Sequence, residues 1–599
     1  ASLARTSGAT VLFRGTSLGS NSGANVSTLV FTSTPTIVGA GGASGSATVS
    51  VIKGAYGDSS LSGTGSDMVT YQGGVGLRLL NGAGFANEYS GDFQTANANV
   101  KLTADRPAVA TNTNSLILNG FSVTNPGGAV TIPLASASLA GNILINSANN
   151  IAGANTTLGI TTNELVILAT ANSTISAVIG TAVAGPLTLS GTGNVTLSAT
   201  NLFTGLTAIN MATLTAGANN VISSGAVTVN GGIYNLNGNS DTIGALTLRG
   251  GTVTTGAGTI TLGGNLTSIA NGNVASLVTG NLGLGANRVF DVGDGLMDND
   301  LVVSAVVSGA FTVTKSTGAG VMVFAGDNSY TGLTTVSSGA LRLGASGGGT
   351  NTPLGTTGAG TTISGASSAL DLNGFTLGTT EALTLSGALA TGALQNQSSA
   401  AVNYSGLITL GAASTIIANY GDINITNGGN ITGNTFALTI GGAGNGTLAS
   451  NLNTTTGTLT KNGLGLWTIS GGASTFTGAT TISAGTLKLG AAGSGSNTPL
   501  GTSAGGVSIT SGAIFDLNGF TLATAEALAI NGTGIASIGA FINSSNNSIS
   551  YSGVITPGAN SRLANYGTGL FTLTGNIVGS TRTLTFVTVG NMTQSSASV

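Results

Sequence analysis

An internal duplication constrains this chain more than any other feature. Residues 310–450 and 456–595 align with an offset that stays between 145 and 147. Lys315 falls on Lys461, Tyr330 on Phe476, Pro353 on Pro499, Asp371 on Asp516, Asn373 on Asn518, Glu381 on Glu526 and Tyr404 on Tyr551. Asn419-Tyr420-Gly421 falls on Asn565-Tyr566-Gly567, and a shorter echo, Leu-Asn-Gly, recurs at 118–120, 236–238, 372–374 and 517–519. Between these anchors, Val, Ile and Leu alternate with Thr, Ser and Asn and are punctuated by Gly, as in TVTTGAGTITLGGNLTSI at 252–269. Period-two alternation with Gly and Asn at regular intervals reads as short strands joined by tight turns.

Evenly spaced strands admit a β-sandwich array or a parallel β-helix, and the duplication favours the second. In a solenoid each coil covers the apolar face of the next, so matched residues such as Phe375 and Phe520, or Leu341 and Leu487, can take equivalent interior places. Roughly 20 to 25 residues per coil is the usual period for such folds. Asn and Gly suit the corners, because both tolerate left-handed backbone. The expected organisation is an N-terminal solenoid start or cap over 1–110, divergent coils over 111–309, and the two copies at 310–450 and 456–595. The start contains an irregular, more charged stretch at 53–106.

Composition then narrows the function. Glycine contributes 100 of 599 residues and only 5% are charged, while 41% are apolar. Disorder needs low hydrophobicity and high charge, so something ordered buries these side chains. No window of 18 apolar residues escapes interruption by Ser, Thr, Asn or Gly, so no transmembrane helix is expected. With no Cys and no His, the chain lacks disulfides, thiolate and imidazole metal sites, cysteine nucleophiles and the Ser/His/Asp triad. Fourteen Lys and Arg, scattered singly against a net charge of -3, leave no electrostatic footprint for nucleic acid.

Individual candidates carry little chemistry. Asp291, Asp294, Asp298 and Asp300 form the densest acidic cluster, and calcium takes oxygen ligands of this kind. DVGDGLMDND lacks EF-hand spacing, however, and Asp and Asn also populate turns for backbone reasons. A polysaccharide-cleaving enzyme needs converging carboxylates. The glutamates are only four, Glu88, Glu164, Glu381 and Glu526, and the last two are repeat equivalents read as sitting at an exposed coil edge. Lys315 and Lys461 are read as solvated charges at matching turns. Trp467, aligned with Val323 of the other copy, is expected inside the coil. Nine of the 31 charged residues fall in 53–106, interleaved with Tyr56, Tyr71, Phe85, Tyr89 and Phe93; this stretch is either an end cap or a loop that carries binding specificity. No catalytic, cofactor-binding or metal-binding residue is assigned, and no cofactor is expected.

The fullest motif is LTKNGLGLWTISGGASTFTGATTISAGTLKLG at 459–490, with VTKSTGAGVMVFAGDNSYTGLTTVSSGALRLG at 313–344 as its counterpart. Both close on GTLKLGA or GALRLGA, and the pattern resembles the repeat of autotransporter-associated β-strand proteins. The opening RTSGATVLFRGTSLG and the segment ANRVFDVGDG at 286–295 resemble parts of long surface proteins that carry it. The resemblance implies a right-handed parallel β-helix exported to the surface of a Gram-negative-type bacterium or beyond it. Self-secreting members end in a membrane β-barrel, whereas the last residues here, NMTQSSASV, carry no amphipathic strand series. The expectation is an anchor outside this sequence or another export route. The chain is thus read as a non-catalytic structural element of a filament, stalk, sheath or matrix, with itself as the first expected partner. An adhesin that binds surface glycans is the alternative, and a β-helix enzyme stands behind both.

Overall fold

The computed structural model describes residues 3–20, 23, 25–82, 84–153, 155–180, 184–579 and 581–595. Among these residues every regular element is a strand, apart from one 3-10 turn at Ile535–Ser537, and no helix is long and apolar enough to cross a membrane. The strands stack in parallel ladders, coil upon coil, so the fold is all-β, a parallel β-solenoid. It divides into two compact units, Ala1–Val306 and Val307–Val599.

In the second unit each coil crosses three sides in turn. The first side is the ladder Val313–Ser316, Thr334–Val336, Thr361–Ile363, Leu383–Leu385, Ile408–Leu410, Asn430–Thr432, Asn451–Asn453, each strand parallel to the next. The second side runs from Val321–Phe324 through Gly339–Leu343, Ser368–Asp371, Leu394–Asn396, Ser414–Ala418 and Leu438–Gly442. It continues through Leu459–Lys461, Thr480–Ile482, Val507–Ile509 and Leu528–Gly532. The third includes Val402–Tyr404, Ile423–Ile425, Gly446–Leu448, Leu466–Ile469, Gly485–Leu489, Ala513–Asp516 and Phe541–Asn543.

Alternation makes these ladders. In Leu383–Leu385, Ile423–Ile425 and Val507–Ile509 the outer residues of each triplet are buried and the middle Thr, Asn or Ser is half-exposed. Stacking then sets like on like, as where Ile363 pairs with Leu385 and Leu385 with Leu410. Each such fully buried aliphatic contributes about 1.5–3 kcal/mol. Most coils fall within the expected period, but Thr334 to Thr361 spans 27 residues, because a small antiparallel hairpin, Asn351–Thr352 with Gly355–Thr356, is inserted at a corner.

All four Leu-Asn-Gly motifs are tight turns. Asn119, Asn237, Asn373 and Asn518 have φ between 47° and 50°, and the glycine after each also has positive φ. Asn373 and Asn518 add a second function, donating Nδ2–H to Leu343 O and Leu489 O of the preceding coil.

The first unit has the same three-sided plan. Its first side runs from Ala98–Lys101 through Thr113–Ile117, Asn142–Ile145, Leu165–Ala169 and Leu187–Gly191 to Arg288–Val292. Residues before it form a small sheet in which Val11–Arg14 lies parallel to Ala55–Asp58, followed by the antiparallel strands Asp67–Gln72 and Gly76–Leu79. This sheet leans on the outward face of the first side: Val51, Tyr56 and Met68 pack against Ile117, Leu144, Val166 and Leu168. Tyr56 O–H donates to Ile143 O and Val166 O, and Ser90 bridges Val100 at the ladder's edge. Leu165–Ala169 is therefore buried on both faces, unlike Val227–Asn230, which alternates.

Candidate functional site

Each charged residue singled out above is placed by the fold, and several lie where the sequence did not put them. Lys315 and Lys461 are not solvated turn charges; both are fully buried. Lys461 Nζ donates to Asn462 O at 2.8 Å, Gly463 O at 2.9 Å and Ala484 O at 3.0 Å, and Lys315 Nζ donates to Gly318 O and Ser338 O. An ammonium carries three donors, and here they tie the carbonyls of two adjacent coils. Burial pushes Lys461 down to about 8.

Glu381 and Glu526 are likewise not at an exposed edge; both are fully buried. Glu381 Oε1 accepts from the Thr361 hydroxyl at 2.9 Å, while Oε2 has no partner among the described residues. Desolvation pushes its carboxyl up to about 7, against the pull of that hydroxyl. Glu526 accepts from Thr524 and Thr498, has the same unpaired Oε2, and is raised for the same reason. Tyr404 and Tyr551 donate to the backbone oxygens of these glutamates at 2.6 and 2.7 Å. These acids belong to the interior of the coils, one per copy.

Asp371 pairs with Arg342 at 2.8 Å and Asp516 with Lys488 at 3.9 Å. Each aspartate also accepts from the amide of the turn Asn two residues on. In the acidic cluster, Asp300 is buried and accepts Gly295 N–H at 2.7 Å, which closes the turn after Arg288–Val292. No three carboxylates converge into a metal-holding group among the described residues.

Trp467 is inside the coil, fully buried, with Nε1–H donating to Gly441 O at 3.2 Å. Its counterpart is Met322 rather than Val323, because Trp467 pairs with Leu487 and Met322 with the equivalent Leu341. The indole occupies the space beside Gly446, where a Cβ would stand 2.6 Å from the ring.

The aromatic and charged stretch 53–106 is packed inward. Tyr56 and Phe93 are buried, the Phe85 ring lies 4.3 Å from the Arg78 guanidinium, and Tyr71 packs against Phe31. Arg78 and Glu88, both wholly buried, form a two-pronged ion pair at 2.6 and 2.7 Å. Burial opposes ionisation of Glu88, yet Arg78 and the amides of Gly45 and Asn81 hold its carboxyl below the usual range.

One cavity stands out beside this sheet. It measures about 550 Å³ and is walled by Leu3, Val11, Pro35, Val38 and Ile52, with Arg5 and Lys53 on its lining. Arg5 grips Glu164 with two nitrogens at 2.7 and 2.8 Å and donates Nε–H to Ala9 O. Gly8 N–H and Thr188 Oγ1 also serve Glu164. Sequence reasoning missed this place; its signal is a lone lysine inside the apolar run VSVIKGAY at 49–56.

The passenger-associated-transport-repeat family matches residues 187–216, 317–343 and 459–489. The last two fall on the paired motifs of the duplication. The first falls among the divergent coils, with Phe203-Thr-Gly-Leu-Thr207 where the others have Tyr330 to Thr334 and Phe476 to Thr480. No curated protein and no solved structure matches the chain. Over these three segments the chain carries the passenger-associated transport repeat, set on parallel β-solenoid coils.

Proposed function

We propose that the chain is a non-catalytic extracellular scaffold, a stiff β-solenoid forming part of a surface filament, stalk, sheath or matrix of a Gram-negative bacterium. The observation that carries this reading is the use of the charged groups. Lys315, Lys461, Glu381 and Glu526 lie within the coils and serve backbone or hydroxyl partners, so the residues best able to do acid–base chemistry hold coils together instead. The family's passenger character supports an exported location.

Head-to-tail assembly fits the same scaffold. Leu584–Thr588 pairs on one side with Ser561–Asn565, and among the described residues no strand pairs with its other side. Phe586 and Val589 there are 45% and 69% exposed. An open strand edge with apolar side chains is a template for another strand, which a further coil or a second copy of the chain would supply. Electron microscopy and sedimentation of the purified chain over a wide concentration range test this. End-to-end particles support it, and a monomer at every concentration under native surface conditions refutes the assembly. The glycan-binding alternative gains nothing from 53–106, because its aromatic faces are turned into packing.

A further inference from the structure

The cavity in the first unit is electrically incomplete. Arg5 and Glu164 cancel each other through a bidentate pair whose geometry uses the guanidinium's forward donors. Lys53, on the same lining, makes no hydrogen bond or ion pair with any described residue. Its surroundings desolvate it, which lowers its pKa to about 8; Glu164 pulls it up and Arg5 pushes it down. A lysine with an open path to water extends its head into solvent and keeps an ordinary pKa. This one is held half-buried in a chain with only 14 cations. The enclosure is specific as well. Gly54, next to Lys53, has φ +67° and a Cβ there would stand 2.3 Å from Arg5 Nε, so the guanidinium lies directly on the backbone that carries the lysine.

We propose that this cavity binds a small amphipathic monoanion, an unbranched apolar chain ending in one carboxylate, with the carboxylate seated on the Lys53 ammonium. Small-molecule sites are concave, mostly apolar and of roughly 300–1,000 Å³, with a few polar groups that fix orientation. The walls here are supplied by Leu3, Val11, Pro35, Val38 and Ile52, and the single orienting charge by Lys53. One uncompensated positive charge selects a monoanion over a phosphate dianion, since Arg5 is already committed. The carboxylate restores the partner that the lysine lacks, and the apolar chain removes the hydrocarbon walls from water.

The test is calorimetric titration of the full chain with octanoate, 1-octanol and octylammonium at pH 6.5. Octanoate is expected to saturate one site, octanol to bind at least about tenfold more weakly, and octylammonium not to bind. Lys53→Met keeps an unbranched apolar side chain and the cavity. It is expected to lose octanoate by at least about tenfold while melting no lower than the parent, because an unpaired desolvated charge is removed. Above pH 8 octanoate affinity falls about tenfold per unit as the free ammonium loses its proton, and this slope is absent from K53M. The proposal is overturned if octanoate does not bind, if octanol binds as tightly as octanoate, or if a folded K53M retains parental octanoate affinity. The octanoate–octanol comparison on the parent chain decides the matter even where the variant fails to fold.

Discussion

Tyr330 in the first copy and Phe476 in the second fill the same corner, and one hydroxyl separates them. Tyr330 O–H meets Thr334 Oγ1 at 2.6 Å, and that hydroxyl goes on to Leu354 O. In the second copy the tyrosine oxygen is missing, and the equivalent Thr480 Oγ1 is buried with no partner among the described residues. The first family match shows the same pattern: Phe203 replaces the tyrosine, and Thr207 Oγ1 is again buried without a partner among the described residues. Two copies that align residue for residue therefore differ in how well their buried polar atoms are served.

They differ more deeply in placement. From Val313–Ser316 the first side climbs six strands to Asn451–Asn453. The equivalent of Val313–Ser316, however, is Leu459–Lys461, which lies on the second side. In the same way Gly339–Leu343 is on the second side and its counterpart Gly485–Leu489 on the third. The duplicated unit is thus six coils and one side long. Each motif reappears turned by one side, against different neighbours.

Exchanging residues between the copies breaks or sharpens this contrast. The largest effect is expected at the Trp467–Met322 pair. Trp467→Ala should cost about 3–5 kcal/mol in denaturant unfolding followed by circular dichroism, and Trp467→Met about 2 kcal/mol, since the cavity is partly refilled. Next comes the acid inside the first copy. Glu381 has its pKa raised from 4.5 to about 7, so the folded state holds the proton more tightly than the unfolded chain. Its contribution is fully present below pH 4.5 and lost as pH rises through 7, on the order of 3 kcal/mol at most. Glu381→Gln should flatten that loss in a melting series from pH 4 to 8, and an unchanged slope would remove Glu381 as its source. Phe476→Tyr, which transplants the first copy's hydroxyl, should stabilise by about 1 kcal/mol; addition of Thr480→Val should then abolish the gain in a double-mutant cycle. Smallest is Lys488→Arg, which replaces a 3.9 Å contact with the 2.8 Å Nε contact that Arg342 makes to Asp371 and should gain about 0.5 kcal/mol.

Much of this was legible beforehand. The Leu-Asn-Gly triplets announced tight turns because Asn and Gly share tolerance of positive φ, and the alternating triplets announced strands with one buried face. The rotation between copies was hidden, since an offset near 146 residues says nothing about sides while coil length varies with inserted hairpins such as Asn351–Thr356. Trp467 corresponds to Met322, one residue off the register that the flanking anchors Lys315–Lys461 and Tyr330–Phe476 share, so strand pairing and not the anchors fixes this match. The general rule that isolated Lys and Glu are solvated places Lys461 and Glu526 at the surface; it fails here because backbone carbonyls serve all three donors of Lys461 and threonine hydroxyls serve one oxygen of Glu526. The flanking sheet did leave a trace: LVILA at 165–169 is a continuous apolar run where the next strand, LTLSG at 187–191, alternates, the mark of a strand covered on both faces.

The one-side advance has a consequence for how such a protein could lengthen safely. Near-identical neighbouring modules invite mispairing, because strands of one can substitute for strands of the next. Here a strand that slipped into its twin's place would arrive on the wrong wall and bring its own turn into conflict with the corner already built there. The duplication is phased like a screw thread, so three modules in series would be needed before a motif faced its original direction again. A growing array of this kind carries its own proofreading, written in geometry rather than in sequence divergence.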